Sequence, residues 1–333
     1  MKKIFLTLTL ILLTQLIFTQ TTINWLDFET AVEKQKENPK TIIIDMYTDW
    51  CGWCKKMDAE TFQNPHIANY INTFFYPVKF NAEGFDTINY KGKVYVNPNV
   101  GRRSTHQLAQ ELMGGRMSYP TMVYIDFEEQ VYPVPGYMNP QNLEPLLIYF
   151  AERINKLANF VDFQQEFKET FFPDSTSKNT GDINWVELEQ ALELRLTKPK
   201  KILLFVNSDF NNGSKVMLAS SLRHPVISNL INENFYPVKF NFNHQDTVQV
   251  YENTFINEQL QPNYPHQFII ALLQPDIRLP SIVFFGEDFS LIFALRGYQS
   301  AQQLERFLEF FSKDLHKTGE DWTKFNENFK SKL

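Results

Sequence analysis

The chain's 333 residues suit about two domains at ~150 residues each, and its 43% hydrophobic and 15% aromatic content is ample for two packed cores. A net charge of −6, with no basic run and no basic-aromatic stripe, argues against a nucleic-acid partner. The two cysteines and six scattered histidines do not supply the four ligands of a structural zinc site, so no metal is expected.

Taken in chain order, Met1-Lys2-Lys3 supplies positive charge ahead of a short apolar stretch, Ile4 to Phe18, and polar Thr19-Gln20-Thr21-Thr22 follows. This reads as an export signal over residues 1–20. Phe18-Thr19-Gln20 lacks the small-x-small pattern of a cleavage site, so an uncleaved membrane anchor stays open beside it. Export points to an oxidising compartment, a bacterial periplasm first, with secretion or membrane anchoring as alternatives.

Trp25 to Gln35 has helical apolar spacing, and Thr41 to Tyr47 is a continuous apolar run of the kind buried on both faces of a sheet. A helix opens at Cys51, and Asn64-Pro65 provides a cap and first-turn proline for the next one. Phe75 to Phe80 is a strand, and Asn89 to Asn97 alternates around Lys91-Gly92 as a hairpin. Ser104 and Gln107 make a capping box for a helix ending at Gly114-Gly115. Thr121 to Phe127 and Val131 to Pro135 form a closing strand pair before a helix from Pro140 to Leu157.

The whole pattern then repeats. Ile23-Asn24-Trp25 recurs as Ile183-Asn184-Trp185, a shift of 160 positions that also carries Phe75 to Asn81 onto Phe235 to Asn241 and Tyr119-Pro120-Thr121 onto Leu279-Pro280-Ser281. Gly136-Tyr137 matches Gly297-Tyr298 with one residue of drift, and Phe163 and Phe167 match Phe325 and Phe329, each pair expected on a terminal helix. The expected organisation is a first domain over 21–172, a polar linker over 173–182 and a second domain over 183–333.

Both cysteines lie in Cys51-Gly52-Trp53-Cys54, on a turn from a buried strand to a helix. A dithiol in that setting is redox machinery. As a staple it would do little, because so short a spacing closes almost no loop in the unfolded chain.

Trp50-Cys51-Gly52-Trp53-Cys54-Lys55, Asp45 six positions ahead of Cys51, a strand ending near Lys79 and Pro120 after Tyr119 together resemble the thioredoxin superfamily. Thr61-Phe62 followed by Pro65, Ile67 and Ile71-Asn72 resembles the branch that holds the thioredoxin-like end domain of bacterial thiol:disulfide interchange reductases. The resemblance covers 23–157 with the redox residues and 183–311 without them. It implies an α/β chain of two tandem thioredoxin-like folds, each a mixed central sheet flanked by helices, with a hairpin-plus-helix excursion before the cis-proline strand. Trp53 stands where thioredoxin itself has proline, and the excursion from Gly84 to Ser118 departs from the common pattern.

What the resemblance implies chemically is a protein thiol-disulfide oxidoreductase, more a reductase than an oxidase. Its redox group is the Cys51–Cys54 disulfide, with no other cofactor, and its partners are protein disulfides and an upstream thiol donor. Cys51, at the first helical turn, is the expected nucleophile, since unpaired amides and the helix dipole favour its thiolate, and Cys54 resolves the mixed disulfide. Asp45 is the proton acceptor, or else a strand-end acid paired to a backbone donor. Lys79 is structural first and a modulator of Asp45 second, because Lys239 is kept where the thiols are lost.

Pro120 is expected in cis, exposing the Tyr119 backbone to an extended substrate, with an ordinary turn proline as the other reading. Trp50, Gly52 and Trp53 flank the thiol as contact surface, although Trp50 suits a core equally. His106 and His266 are related by the repeat and are read as packing or capping residues, and Arg102, Arg103 and Arg116 as charges colouring the surface near the site or else as simply solvated. In the second copy Phe205, Asn211 and Ser214 stand where Asp45, Cys51 and Cys54 do, so it is expected to dock or scaffold. The competing reading is a non-enzymatic peptide-binding or chaperone-like protein.

Overall fold

A computed structural model describes residues 22–173, 181–259 and 263–333. The expected signal segment lies outside them, as does most of the expected linker. The chain divides into two compact units, one running up to Ile125 with Val131–Pro140, the other comprising Asp126–Gln130 and Gln141–Leu333.

In the first unit Asp27 accepts the Thr30 amide and caps helix α1, Phe28–Glu37. The helix therefore starts later than its apolar spacing suggests, because Leu26 is extended and donates its N–H to the Pro77 carbonyl. Strand β1, Thr41–Tyr47, leads to helix α2, Gly52–Glu60, and Asn64 with Pro65 starts helix α3, Pro65–Phe74, as expected. Strand β2, Phe75–Asn81, pairs parallel with β1, Ile44 opposite Val78 and Asp45 opposite Lys79.

Strands β3, Ile88–Tyr90, and β4, Lys93–Tyr95, form the hairpin, with Lys91 and Gly92 both at positive φ in its turn. Helix α4, Gln107–Leu112, is capped by His106 rather than Ser104: the His106 Nδ1 accepts the Leu108 amide, while the Ser104 hydroxyl is taken up by the Val100 amide. Strands β5, Thr121–Ile125, and β6, Val131–Pro135, complete a mixed sheet in the order β2-β1-β5-β6. The interior position of β1 explains why it is so largely apolar, with Asp45 the one charged residue in it. Ile42, Ile44 and Met46 pack with Val78, Val123 and Ile125, each such side chain stabilising the fold by ~1.5–3 kcal/mol.

The second unit takes in helices α5, Pro140–Ala151, apart from its first residue, and α6, Phe160–Phe171. The expected continuous helix to Leu157 breaks after Ala151: Arg153 adopts φ 60°, and a 3-10 turn follows over Ile154–Lys156. Next come α7 (Leu188–Thr197), β7 (Lys201–Asn207), α8 (Asn212–Ala219), α9 (Pro225–Asn234) and β8 (Phe235–Asn241). The hairpin β9 (Val248–Val250) and β10 (Asn253–Phe255) precedes α10 (Gln267–Leu273), which His266 caps as His106 caps α4. Strands β11 (Ser281–Phe285) and β12 (Leu291–Arg296) and helices α11 (Ala301–Ser312) and α12 (Trp322–Asn328) end the unit. Phe325 lies on α12 and Phe329 just beyond it.

This second sheet runs β12-β11-β7-β8. Its β7–β8 and β7–β11 pairings repeat β1–β2 and β1–β5 residue for residue at the shift of 160, with Phe205 opposite Lys239 where Asp45 faces Lys79, whereas β11–β12 carries a bulge and is offset by one residue over most of its length. The fold is mixed α/β, with two helix-flanked sheets of the same strand order, consistent with two thioredoxin-like folds.

Candidate functional site

Where β1 ends, Thr48 accepts the Cys51 amide and turns the chain into α2. Cys51 is the cap residue of that helix, its Sγ accepting the Cys54 N–H at 3.0 Å, and the two cysteines are joined as a disulfide. The sulfur of Cys51 thus occupies the place where a helix offers unpaired amides and a positive dipole end. Both cysteines are largely buried, at 4% and 3% exposure, whereas a side chain at Gly52 would meet only open space.

Asp45 is buried at 1% exposure in the middle of β1. One carboxylate oxygen, Oδ1, has no hydrogen-bond partner, and the other, Oδ2, lies 3.5 Å from Lys79 Nζ on β2. Burial pushes the Asp45 carboxyl up to about 7: desolvation outweighs the attraction of Lys79, and the nearby Asp58 charge adds to the rise. Among the described residues no backbone donor is bonded to the carboxylate, unlike the strand-end reading. Lys79 also forms an ion pair with Asp58 on α2, and its ammonium faces the rings of Trp25, Tyr47 and Phe62 at 5.4, 5.3 and 5.9 Å. Asp58 was not legible as a site residue, since an acid one turn beyond Cys54 looks like ordinary helix surface.

Around the dithiol runs an aromatic rim. Trp50 is 48% exposed, so it belongs to the surface and not to the core. Its indole donates to the Glu83 carboxylate at 3.0 Å, the Arg103 guanidinium lies 4.1 Å from its ring centre, and Tyr119 meets it edge-on. Trp53, 58% exposed, packs against Tyr137, and Lys56 stands over both rings. The Tyr137 hydroxyl donates to Glu60, and the buried Thr61 hydroxyl donates to the Met138 carbonyl. The Tyr119–Pro120 bond is cis, as are Leu279–Pro280 and Gln274–Pro275. Glu83 and Tyr137 join this rim through contacts between distant segments, and no local pattern announces them, whereas Arg103 stands near the site as its sequence reading suggested.

In the second unit Asn211 caps α8 as Cys51 caps α2, its Oδ1 accepting the Ser214 N–H and hydroxyl, each at 2.7 Å. Phe205, in the place of Asp45, packs against Trp185. The helix is capped in the same way, with an amide oxygen where the first unit has sulfur. Among the described residues no group of three or more His, Cys, Asp or Glu side chains could hold a metal ion, and no helix is long and apolar enough to cross a membrane.

Residues 28–151 match the family model described as Thioredoxin-like domain. Over 131 residues the chain is 24% identical to the thiol:disulfide interchange protein DsbD of Pectobacterium atrosepticum, covering 38% of this chain and 19% of that protein. The chain thus spans about a fifth of that relative's length. Among solved structures it is similar to a DsbH oxidoreductase, at 24% identity and TM-score 0.25 over 34% of this chain and 73% of that one. It is also similar to the DsbD C-terminal domain of Neisseria meningitidis in the reduced form, at 18% identity and TM-score 0.27 over 37% and 92%, and to a thioredoxin from Thermus thermophilus, at 15% identity and TM-score 0.32 over 41% and 93%. The bonded cysteine pair at the mouth of α2 thus lies within the stretch, residues 28–151, that matches a thioredoxin-like domain.

Proposed function

We propose that the protein is an exported thiol:disulfide oxidoreductase that reduces protein disulfides through Cys51 and Cys54. The observation that carries this reading is a cysteine pair at a helix N-terminus in the same unit as a buried acid, Asp45, whose carboxyl is pushed up to about 7. In the reduced enzyme the Cys51 thiolate attacks one sulfur of the substrate disulfide; that S–S bond breaks, and one substrate thiolate leaves. Asp45 then takes the Cys54 proton, and the Cys54 thiolate attacks the Cys51 sulfur. The mixed disulfide breaks, the second substrate thiolate leaves, and two electrons have passed from the dithiol to the substrate. A thiol donor upstream restores the dithiol.

Trp50, Gly52, Trp53, Tyr119 and Pro120 form the surface that receives the substrate segment, and Lys79 tunes Asp45. The compartment is the periplasm. The second unit serves as a dock or scaffold. The test is a disulfide-reduction assay with Cys51→Ser, which abolishes turnover, together with the redox potential of the pair. A value near ~−270 mV suits a reductase, and one near ~−120 mV would make it an oxidant.

A second reading, a peptide-binding or chaperone-like protein, draws support from the second unit, which keeps a cis Leu279–Pro280 bond without thiols. Turnover lost in Cys51→Ser removes its claim on the first unit.

A further inference from the structure

In the second unit the turn that stands where the dithiol would be is already occupied. Glu152, one residue beyond α5, reaches the N-terminus of α8, where its Oε1 accepts the Asn212 N–H at 2.9 Å and its Oε2 the Gly213 N–H at 2.7 Å. By the shift of 160, those two amides are the counterparts of Gly52 and Trp53. A side chain at Gly213 would have no room: its Cβ would lie 2.9 Å from Glu152 Oε2 and 3.3 Å from Pro280 Cδ. The first unit has Trp53 at that position, its indole turned out to solvent. Glycine here makes space for the carboxylate against the cis-proline.

The residue keeps part of its surface exposed, but its carboxylate is enclosed. Enclosure pushes that carboxyl up to about 7 against the opposing pull of the Gly213 and Asn212 amides, Asn211 and Lys215. A helix start with two aimed N–H groups is a carboxylate receptor. A second carboxylate on the same stretch of chain is anchored in the same unit: Glu166 of α6 accepts from the hydroxyls of Ser220, Ser221 and Tyr298. Between the two, the Leu157 carbonyl accepts from Gln303.

We propose that the vestigial exchange site of the second unit is a carboxylate-binding site whose resident ligand is the chain's own Glu152. The unit thereby holds residues 152–166 as a fixed strap, and the site is closed to an external peptide. The assignment rests on reading this unit as redox-inactive, and it takes scaffolding over docking for the unit's role.

The full-length chain carrying Glu152→Ala is melted while sodium acetate is titrated against sodium chloride of equal ionic strength. The expected midpoint lies below that of the wild type and is restored saturably by acetate but not by chloride, since acetate replaces the missing carboxylate. The wild type responds to neither salt, and Glu152→Ala combined with Gly213→Ala loses the acetate response because the new Cβ takes the space. Equal responses to both salts, or a Glu152→Ala midpoint equal to that of the wild type, would overturn the proposal.

Should Glu152→Ala not fold, hydrogen exchange at the Asn212 and Gly213 amides decides. Both are slow in the wild type, and at least one speeds up ~10-fold or more in Glu152→Gln, whose side-chain amide keeps a single acceptor oxygen. Fast exchange of both amides in the wild type, or no change in the Gln variant, overturns the assignment. None of these readouts involves Cys51, so failure here leaves the proposed disulfide chemistry standing, and failure of that chemistry leaves the carboxylate site standing.

Discussion

Lys79 Nζ lies 3.5 Å from Asp45 Oδ2, across neighbouring parallel strands in register, and the same ammonium pairs with Asp58 on α2. One cation is therefore shared between a buried acid and a half-exposed one, and burial is the stronger influence on Asp45, with the Asp58 charge adding to it. Four expectations follow from the first unit.

The Asp45 carboxyl, raised to about 7 in the fold, has an ordinary value near ~3.9 when unfolded. The folded state therefore binds the proton more tightly. Its stabilising contribution is fully present below about pH 4 and is lost as pH rises through about 7. Asp45→Asn should shrink the fall in unfolding free energy between pH 5 and pH 8 by on the order of 3 kcal/mol, read from urea melts at the two values. Glu152 adds a fall of the same sign in the second unit, so a slope unchanged in Asp45→Asn would contradict the assignment to Asp45 specifically.

The neighbours of Asp45 act in opposite directions. Lys79→Met should raise the Asp45 pKa further, by on the order of one unit, and Asp58→Asn should lower it. Carboxyl titration by NMR would measure both, and the acid limb governed by Asp45 in a pH-rate profile of disulfide reduction should move in step. Shifts of the same sign in both variants would rule out this electrostatic account.

Cys54→Ser should hold a substrate protein covalently on Cys51, because no thiol remains to break the mixed disulfide. Cys51→Ser should trap nothing and reduce nothing. Mass spectrometry of non-reduced complexes identifies the captured chain, and capture by Cys51→Ser instead would reverse the roles of the two sulfurs.

Trp50 is clamped by Glu83, Arg103 and Tyr119 yet half exposed. Trp50→Ala should therefore change stability by about 1 kcal/mol or less while raising KM for a protein disulfide several-fold. Steady-state kinetics with a protein and a small disulfide in parallel separates the effects. An equal loss on both substrates would place Trp50 in the chemistry and not in recognition.

Much of this was legible from the chain alone, because the signals are local. Cys51 and Cys54 lie a helical turn apart, Asn64-Pro65 starts a helix whatever surrounds it, and Lys91-Gly92 turns a hairpin. The repeat at 160 positions disclosed the second copy of the sheet order, since equal patterns of burial fold alike. Even here local rules competed. His106 took the cap of α4 from Ser104 because its ring also reaches the Asp86 carbonyl, satisfying two backbone groups at once.

Residue identity and spacing along a few turns were enough to give the dithiol, the strand that carries Asp45, and the absence of cysteine where Asn211 and Ser214 stand. Packing of distant segments was needed to show that Asp58 competes for Lys79, that Glu83 and Arg103 fix Trp50, and that Glu152 fills the helix start at Asn212 and Gly213. Those pairs are separated by 21 to 61 positions. A charge on a helix end looks the same in sequence whether it faces water or a distant pair of amides, and only packing distinguishes the two.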